Sequence, residues 1–174
     1  MPPWAISPFP NRAILGSLSL QGEIKKMDDT KPHAHRLRTG RYSQPGQIYM
    51  VTLITAERRR IFDDFSAARV LVQILKAESD KQRASTLAFV VMPDHLHWLM
   101  QLGESTTLAQ SVRGIKSITT HRLGLPVWQR GYHDHAVRRE EDIKALARYV
   151  IANPIRAGLS YSVGSYPHWD AAWV

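Results

Sequence analysis

Residues 86 to 102, "TLAFVVMPDHLHWLMQL", are two apolar runs separated only by Pro93 and Asp94. So short a connection leaves one arrangement open: a parallel crossover needs a dozen or more residues, so the two runs form an antiparallel hairpin. Proline and aspartate are both turn formers, which places the reversal at that dipeptide. Side chains alternate along a strand, so Leu96, Trp98 and Met100 point one way and His95, His97 and Leu99 the other. Two imidazoles on one face of an apolar strand admit two readings. They hold a divalent cation between them, or they are hydrogen-bonded within a core or exposed on a sheet. The spacing alone leaves both open.

The remaining elements are read around this hairpin. From Gln47, "QIYMVTLIT" has the β-branched and aromatic content of a strand and runs into a basic turn, "ERRR". "DDFSAARVLVQILKAE", 63 to 78, sets Phe65, Ala68, Val72 and Leu75 on one helical stripe behind two acids suited to a helix N-terminus. "TTLAQSVRGIKSITTHRLG" repeats that period with Leu108, Val112 and Ile115 and ends near Gly124. "PVWQRGYHDHAVR" reads as a loop entering a short strand, and "EEDIKALARYVIAN" as a third helix that stops at Pro154. The order β-α-β-β-α-β-α predicts an α+β domain: a split ferredoxin-like antiparallel sheet with helices on one face and the catalytic site on the other.

A length of 174 residues suits one domain. Without cysteine, disulfides and thiolate metal sites are excluded, so any metal takes His, carboxylate, amide or water ligands. No run of about 18 apolar residues suggests a membrane span, and a cytoplasmic location is expected. The net charge of +8 fits a polyanionic partner. Half of it lies in residues 1–41, where seven Lys/Arg oppose three Asp/Glu. That segment mixes Pro, Gly and Ser without a period and is expected to be a disordered extension, leaving 42–174 as the domain. Its own His33-Ala34-His35 sits among basic residues with no strand pattern and reads as solvated tail.

Tyr149 and Asn153 stand four apart in "YVIANP", so a phenol and an amide share one helical face. A tyrosine can act as a covalent nucleophile, yet a helical tyrosine more commonly just packs, and Asn before Pro is an ordinary helix stop. Taken in order, "MPDHLHWLM", "WQRGYHDHAVR" and "YVIANPIRAGL" resemble the HUH single-tyrosine transposases, and among them the REP-associated tyrosine transposase branch. The likeness runs from about Tyr42 to about Trp169. It implies that His95 and His97 are metal ligands, that Asn153 supplies a third, and that Tyr149 is the nucleophile. It further implies cleavage of single-stranded DNA near a hairpin, leaving a 5′-phosphotyrosine and a free 3′-hydroxyl. Two imidazoles and an amide suit Mg²⁺ or Mn²⁺.

Arg113 and Lys116 on the second helix, with Trp128, Gln129 and Arg130, are candidates for gripping phosphates and stacking bases of a single strand. Solvated helix charges and a core tryptophan are the plainer reading of each. His133 and His135 form a second His-x-His around an acid, placed to touch DNA or brace the site, and Tyr132 beside them rivals Tyr149 as nucleophile. Asp94 reads as a turn residue. The competing function is a hairpin-binding protein that keeps the fold without catalysis. Either a monomer, as in the REP-associated branch, or a homodimer, as in insertion-sequence relatives, fits the resemblance.

Overall fold

The computed structural model describes residues 43–138 and 142–172, and the expectation about residues 1–41 lies outside them. Among the described residues five strands form one antiparallel sheet in the order β4-β1-β3-β2-β5: β1 Ile48–Ile54, β2 Ala84–Met92, β3 His95–Leu102, β4 His133–Ala136 and β5 Trp169–Ala171. β2 and β3 pair in register from Met92 opposite His95, which makes Pro93-Asp94 the two-residue turn. β5 is an addition to the expected order, pairing Trp169 with Val90 and Ala171 with Ala88.

The register sorts the faces. Tyr49, Val51 and Leu53 lie opposite Met100, Trp98 and Leu96, and all six join a buried cluster with Leu71, Ile74 and Leu75 of α1 (Phe65–Asp80) and Leu108, Val112 and Ile115 of α2 (Leu108–Leu123). Asp64 caps α1 by accepting from the Ala67 amide at 2.7 Å. Thr107 and Gln110 form a capping box on α2, which ends at Gly124 in the left-handed conformation, φ 67°. Phe65 departs from the stripe expected for it. The buried stripe of α1 runs through Ala67, Ala68, Leu71, Ile74 and Leu75, and Phe65, at the helix start, is 60% exposed.

The two-layer expectation holds for α1 and α2. The third helix, α3 (Ile143–Ile151), buries Leu146, Ala147, Val150 and Ile151 outside that cluster, packing on β2, β3 and β5. It therefore shares the face of the sheet that carries His95 and His97. Nor does the chain leave helix at Pro154. After Ala152 it resumes as α4 (Asn153–Arg156), with Pro154 in the first turn, where a missing amide hydrogen costs nothing.

Candidate active site

β3 is central, with Thr52 of β1 and Val90 of β2 both level with His97. The Thr52 hydroxyl lies 3.0 Å from His97 Nδ1. His95 Nδ1 lies 2.5 Å from the Asp94 carboxylate, whose other oxygen accepts from Arg58 at 2.8 Å. Each imidazole is thus fixed through Nδ1, and the two Nε2 atoms converge at 3.1 Å with the rings near perpendicular, 86°. The turn itself is clamped: the Thr55 amide donates to the Asp94 carbonyl at 2.9 Å and the Phe62 amide to the Pro93 carbonyl at 3.0 Å.

An ionised Asp94 only accepts, so it takes the Nδ1 proton of a neutral His95 and leaves Nε2 as a lone pair. If His97 likewise donates from Nδ1 to Thr52, two lone pairs face one point, the arrangement a cation requires. At a metal–ligand distance of about 2.1 Å, adjacent ligands of an octahedral ion stand roughly 3.0 Å apart, so the imidazole pair fits a divalent ion. Burial lowers His95, partly offset by Asp94, and pushes His97 down to about 3, so both stay neutral and able to ligate. Burial would raise Asp94, but His95 and Arg58 outweigh it and hold the carboxyl below its ordinary value. Among the described residues no three His, Asp or Glu side chains gather to hold a metal, which leaves amides and hydroxyls as the further side-chain donors to consider among them.

Asn153 meets that description. Its amide nitrogen donates to the Tyr149 and Val150 carbonyls at 3.0 and 2.9 Å, capping α3 and leaving Oδ1 as the atom available to a ligand. Tyr149 is half-buried, and the Arg156 guanidinium lies over its ring, 4.2 Å from the centroid. Reading the sequence missed Arg156, Thr52 and Arg58, and took Asp94 for a turn residue alone.

The expected DNA contacts divide. Arg113 and Arg130 are exposed. The Lys116 ammonium donates to the carbonyls of Gln129, at 2.9 Å, and Gly131, tying the loop that carries Arg130 to α2, and burial pushes it down to about 8. Trp128 is half-buried with its ring 5.4 Å from Phe62. His133 lies opposite Thr52 on β4, on the site face but one strand further out, and is exposed. Tyr132 packs against the buried cluster on the α1–α2 side.

The family model described as "Transposase IS200 like" matches residues 43–153. The chain belongs to the IS200-like transposase family. Within it, the chain is 33% identical to a REP-associated tyrosine transposase of Escherichia coli (strain K12), a match covering 49% of this chain and only 55% of that protein. A Haemophilus influenzae protein, provisionally named a REP-associated tyrosine transposase, is 24% identical over 71% of this chain and 78% of its own. The solved structure of a REP-associated tyrosine transposase bound to a REP hairpin superposes with a TM-score of 0.63 and 27% identity, covering 74% of this chain and 79% of that one. The family match ends at Asn153, so it spans the hairpin, the imidazole pair and Tyr149. No helix among the described residues is long and apolar enough to cross a membrane.

Proposed function

We propose that this IS200-like transposase cuts and rejoins single-stranded DNA beside a hairpin, through a 5′-phosphotyrosine on Tyr149. The observation that carries the reading is the convergence of His95 and His97 Nε2, 3.1 Å apart, on the face that also bears the tyrosine helix. His95, His97 and Asn153 would hold Mg²⁺ or Mn²⁺. Bound there, the cation would neutralise a non-bridging phosphate oxygen and so lower the cost of bringing an anionic nucleophile to an anionic ester.

The chain's own groups do the rest. Asp94 and Thr52 hold the imidazoles so that their lone pairs do not rotate away. Asn153, by capping α3, links the ligand to the helix that delivers the phenol. Tyr149 Oη passes its proton to water and attacks phosphorus. The bond from phosphorus to the 3′-oxygen breaks, that oxygen takes up a proton, and the 5′-phosphate remains on tyrosine. Attack by a 3′-hydroxyl reverses the step and rejoins DNA. Arg156 over the tyrosine ring, with the exposed Arg113 and Arg130, supplies charge for the strand, while Lys116 and Trp128 brace the loop that carries Arg130.

The test is a labelled hairpin oligonucleotide with single-stranded flanks, incubated with Mn²⁺ and run on a denaturing gel. Wild type should retain label, Tyr149→Phe should not, and Tyr132→Phe should. Binding without any adduct by wild type would favour the non-catalytic hairpin-binding alternative. An adduct that survives Tyr149→Phe and is lost in Tyr132→Phe would move the nucleophile.

A further inference from the structure

The basic turn "ERRR" after β1 is built on strained backbone. Glu57 and Arg58 both take the left-handed conformation, φ 56° and 51°, a region that residues with a Cβ rarely enter and that glycine occupies freely. Two such residues in succession persist only where their neighbours over-determine them. Here both ends are pinned. Before the pair, the Thr55 amide and hydroxyl each reach the Asp94 carbonyl at 2.9 Å, and the Ala56 amide donates to the Val127 carbonyl at 2.8 Å. After it, the Arg59 guanidinium donates to the Pro126 carbonyl.

What the strained stretch delivers is the Arg58 side chain. Its Nη1 donates to Asp94 Oδ2 at 2.8 Å, while Asp94 Oδ1 lies 2.5 Å from His95 Nδ1. A carboxylate held by one oxygen pivots about its Cβ–Cγ bond. Held by both, it has a fixed plane, and so has the imidazole anchored to it, whose Nε2 stands 3.1 Å from that of His97. Asp94 is largely buried, its side chain 20% exposed against 42% for Arg58, so the contact is only partly screened by solvent. Arg60, two residues on in the same basic turn, pairs instead with Asp63, and both of those side chains are exposed.

We propose that the Glu57–Arg58 turn is a strained bracket that aims Arg58 at Asp94 and, through Asp94, fixes the direction in which His95 presents Nε2. Arg58 is thus a positioning residue for the cation site, acting two links away from the ion. The inference rests on the proposed assignment of the cation to His95 and His97. It explains why the turn carries an arginine where glycine would sit without strain: stability is traded for placement.

The test is Mn²⁺ affinity by calorimetry on the full chain without DNA, beside thermal melts. Arg58→Ala should weaken Mn²⁺ binding about tenfold, the scale of losing a group that orients a ligand. Arg58→Lys, which keeps the charge, should restore most of it, and Arg60→Ala, an equal loss of charge two residues on, should bind as wild type does. Arg58→Gln, which keeps the stem without the charge, gives the same comparison if the alanine variant does not melt cooperatively. The double variant Arg58→Ala/Asp94→Ala should bind no worse than Asp94→Ala alone, because Arg58 acts through Asp94. Glu57→Gly, at an exposed residue, should melt a few degrees higher, since the left-handed strain is relieved. Wild-type affinity in Arg58→Ala, or losses that multiply in the double variant, overturns the positioning role, and a lower-melting Glu57→Gly overturns the strain. In both cases a Tyr149 adduct formed by wild type leaves the cleavage reading standing. Wild type that binds Mn²⁺ with these dependences yet forms no adduct keeps the bracket and removes the cleavage reading.

Discussion

His95 and His97 on β3, and His133 and His135 on β4, share a spacing and a face of one sheet, since Thr52 pairs with His97 on one side and His133 on the other. What separates the two pairs is the surroundings. β3 is flanked by β1 and β2, and its imidazoles are fixed through Nδ1 by Thr52 and by an Asp94 that Arg58 holds in turn. β4 is an edge strand of four residues paired with β1, and His133 is exposed. A motif of two histidines becomes a ligand pair when neighbouring groups decide which nitrogen is free and where it points. Spacing provides the face; on β3 the central position and the Nδ1 anchors bring the two Nε2 atoms together.

The comparison breaks first, and hardest, at the imidazoles. His95→Ala or His97→Ala should keep the fold and reduce adduct formation at least about a hundredfold, on the scale of losing a group that stabilises transition-state charge. His133→Ala and His135→Ala should change it little. Equal losses in both pairs, measured by adduct yield against time, would erase the distinction.

The anchors come next. Thr52→Val, nearly isosteric, and Asp94→Ala should each weaken Mn²⁺ binding by about 10–100-fold by calorimetry while melting remains cooperative. Unchanged affinity would mean that the anchoring is incidental. A smaller effect belongs to Arg156→Ala. It should weaken hairpin binding severalfold and flatten its salt dependence, because the charge over the Tyr149 ring that the proposed function assigns to the strand is lost.

Much of the central pair was legible in the sequence because period two and a two-residue turn determine the hairpin and put His95 and His97 on one face. The anchors were not. Thr52 is 45 residues from His97 in sequence, and only the β1–β3 register brings them level. Asp94 was visible as a turn residue, but its carboxylate could be assigned to His95 only once the turn was clamped by Thr55 and Phe62. β5 escaped because three residues carry no period, and their strand conformation comes from pairing with β2. Pro154 follows an apparent helix end, yet proline is welcome in a first helical turn, and the phase of the α1 stripe, which its packing sets, leaves Phe65 off it.

The mildest test concerns pH. Burial lowers both β3 histidines, so between about 6.5, their value in an unfolded chain, and the lowered values in the fold, the unfolded chain binds protons that the folded one does not. Stability should therefore decline as pH falls below about 6.5, and the decline should shrink in His97→Phe, by thermal melts from pH 7 to 5.

The most direct measurement is Mn²⁺ binding followed by electron paramagnetic resonance, in which the free aqueous ion loses signal as it is bound. Wild type, His133→Ala and His135→Ala should titrate as one site with closely similar affinity, while His95→Ala and His97→Ala leave the ion free over the same range. Binding that survives both β3 substitutions, or that disappears with the β4 pair instead, would contradict the assignment of the cation to His95 and His97.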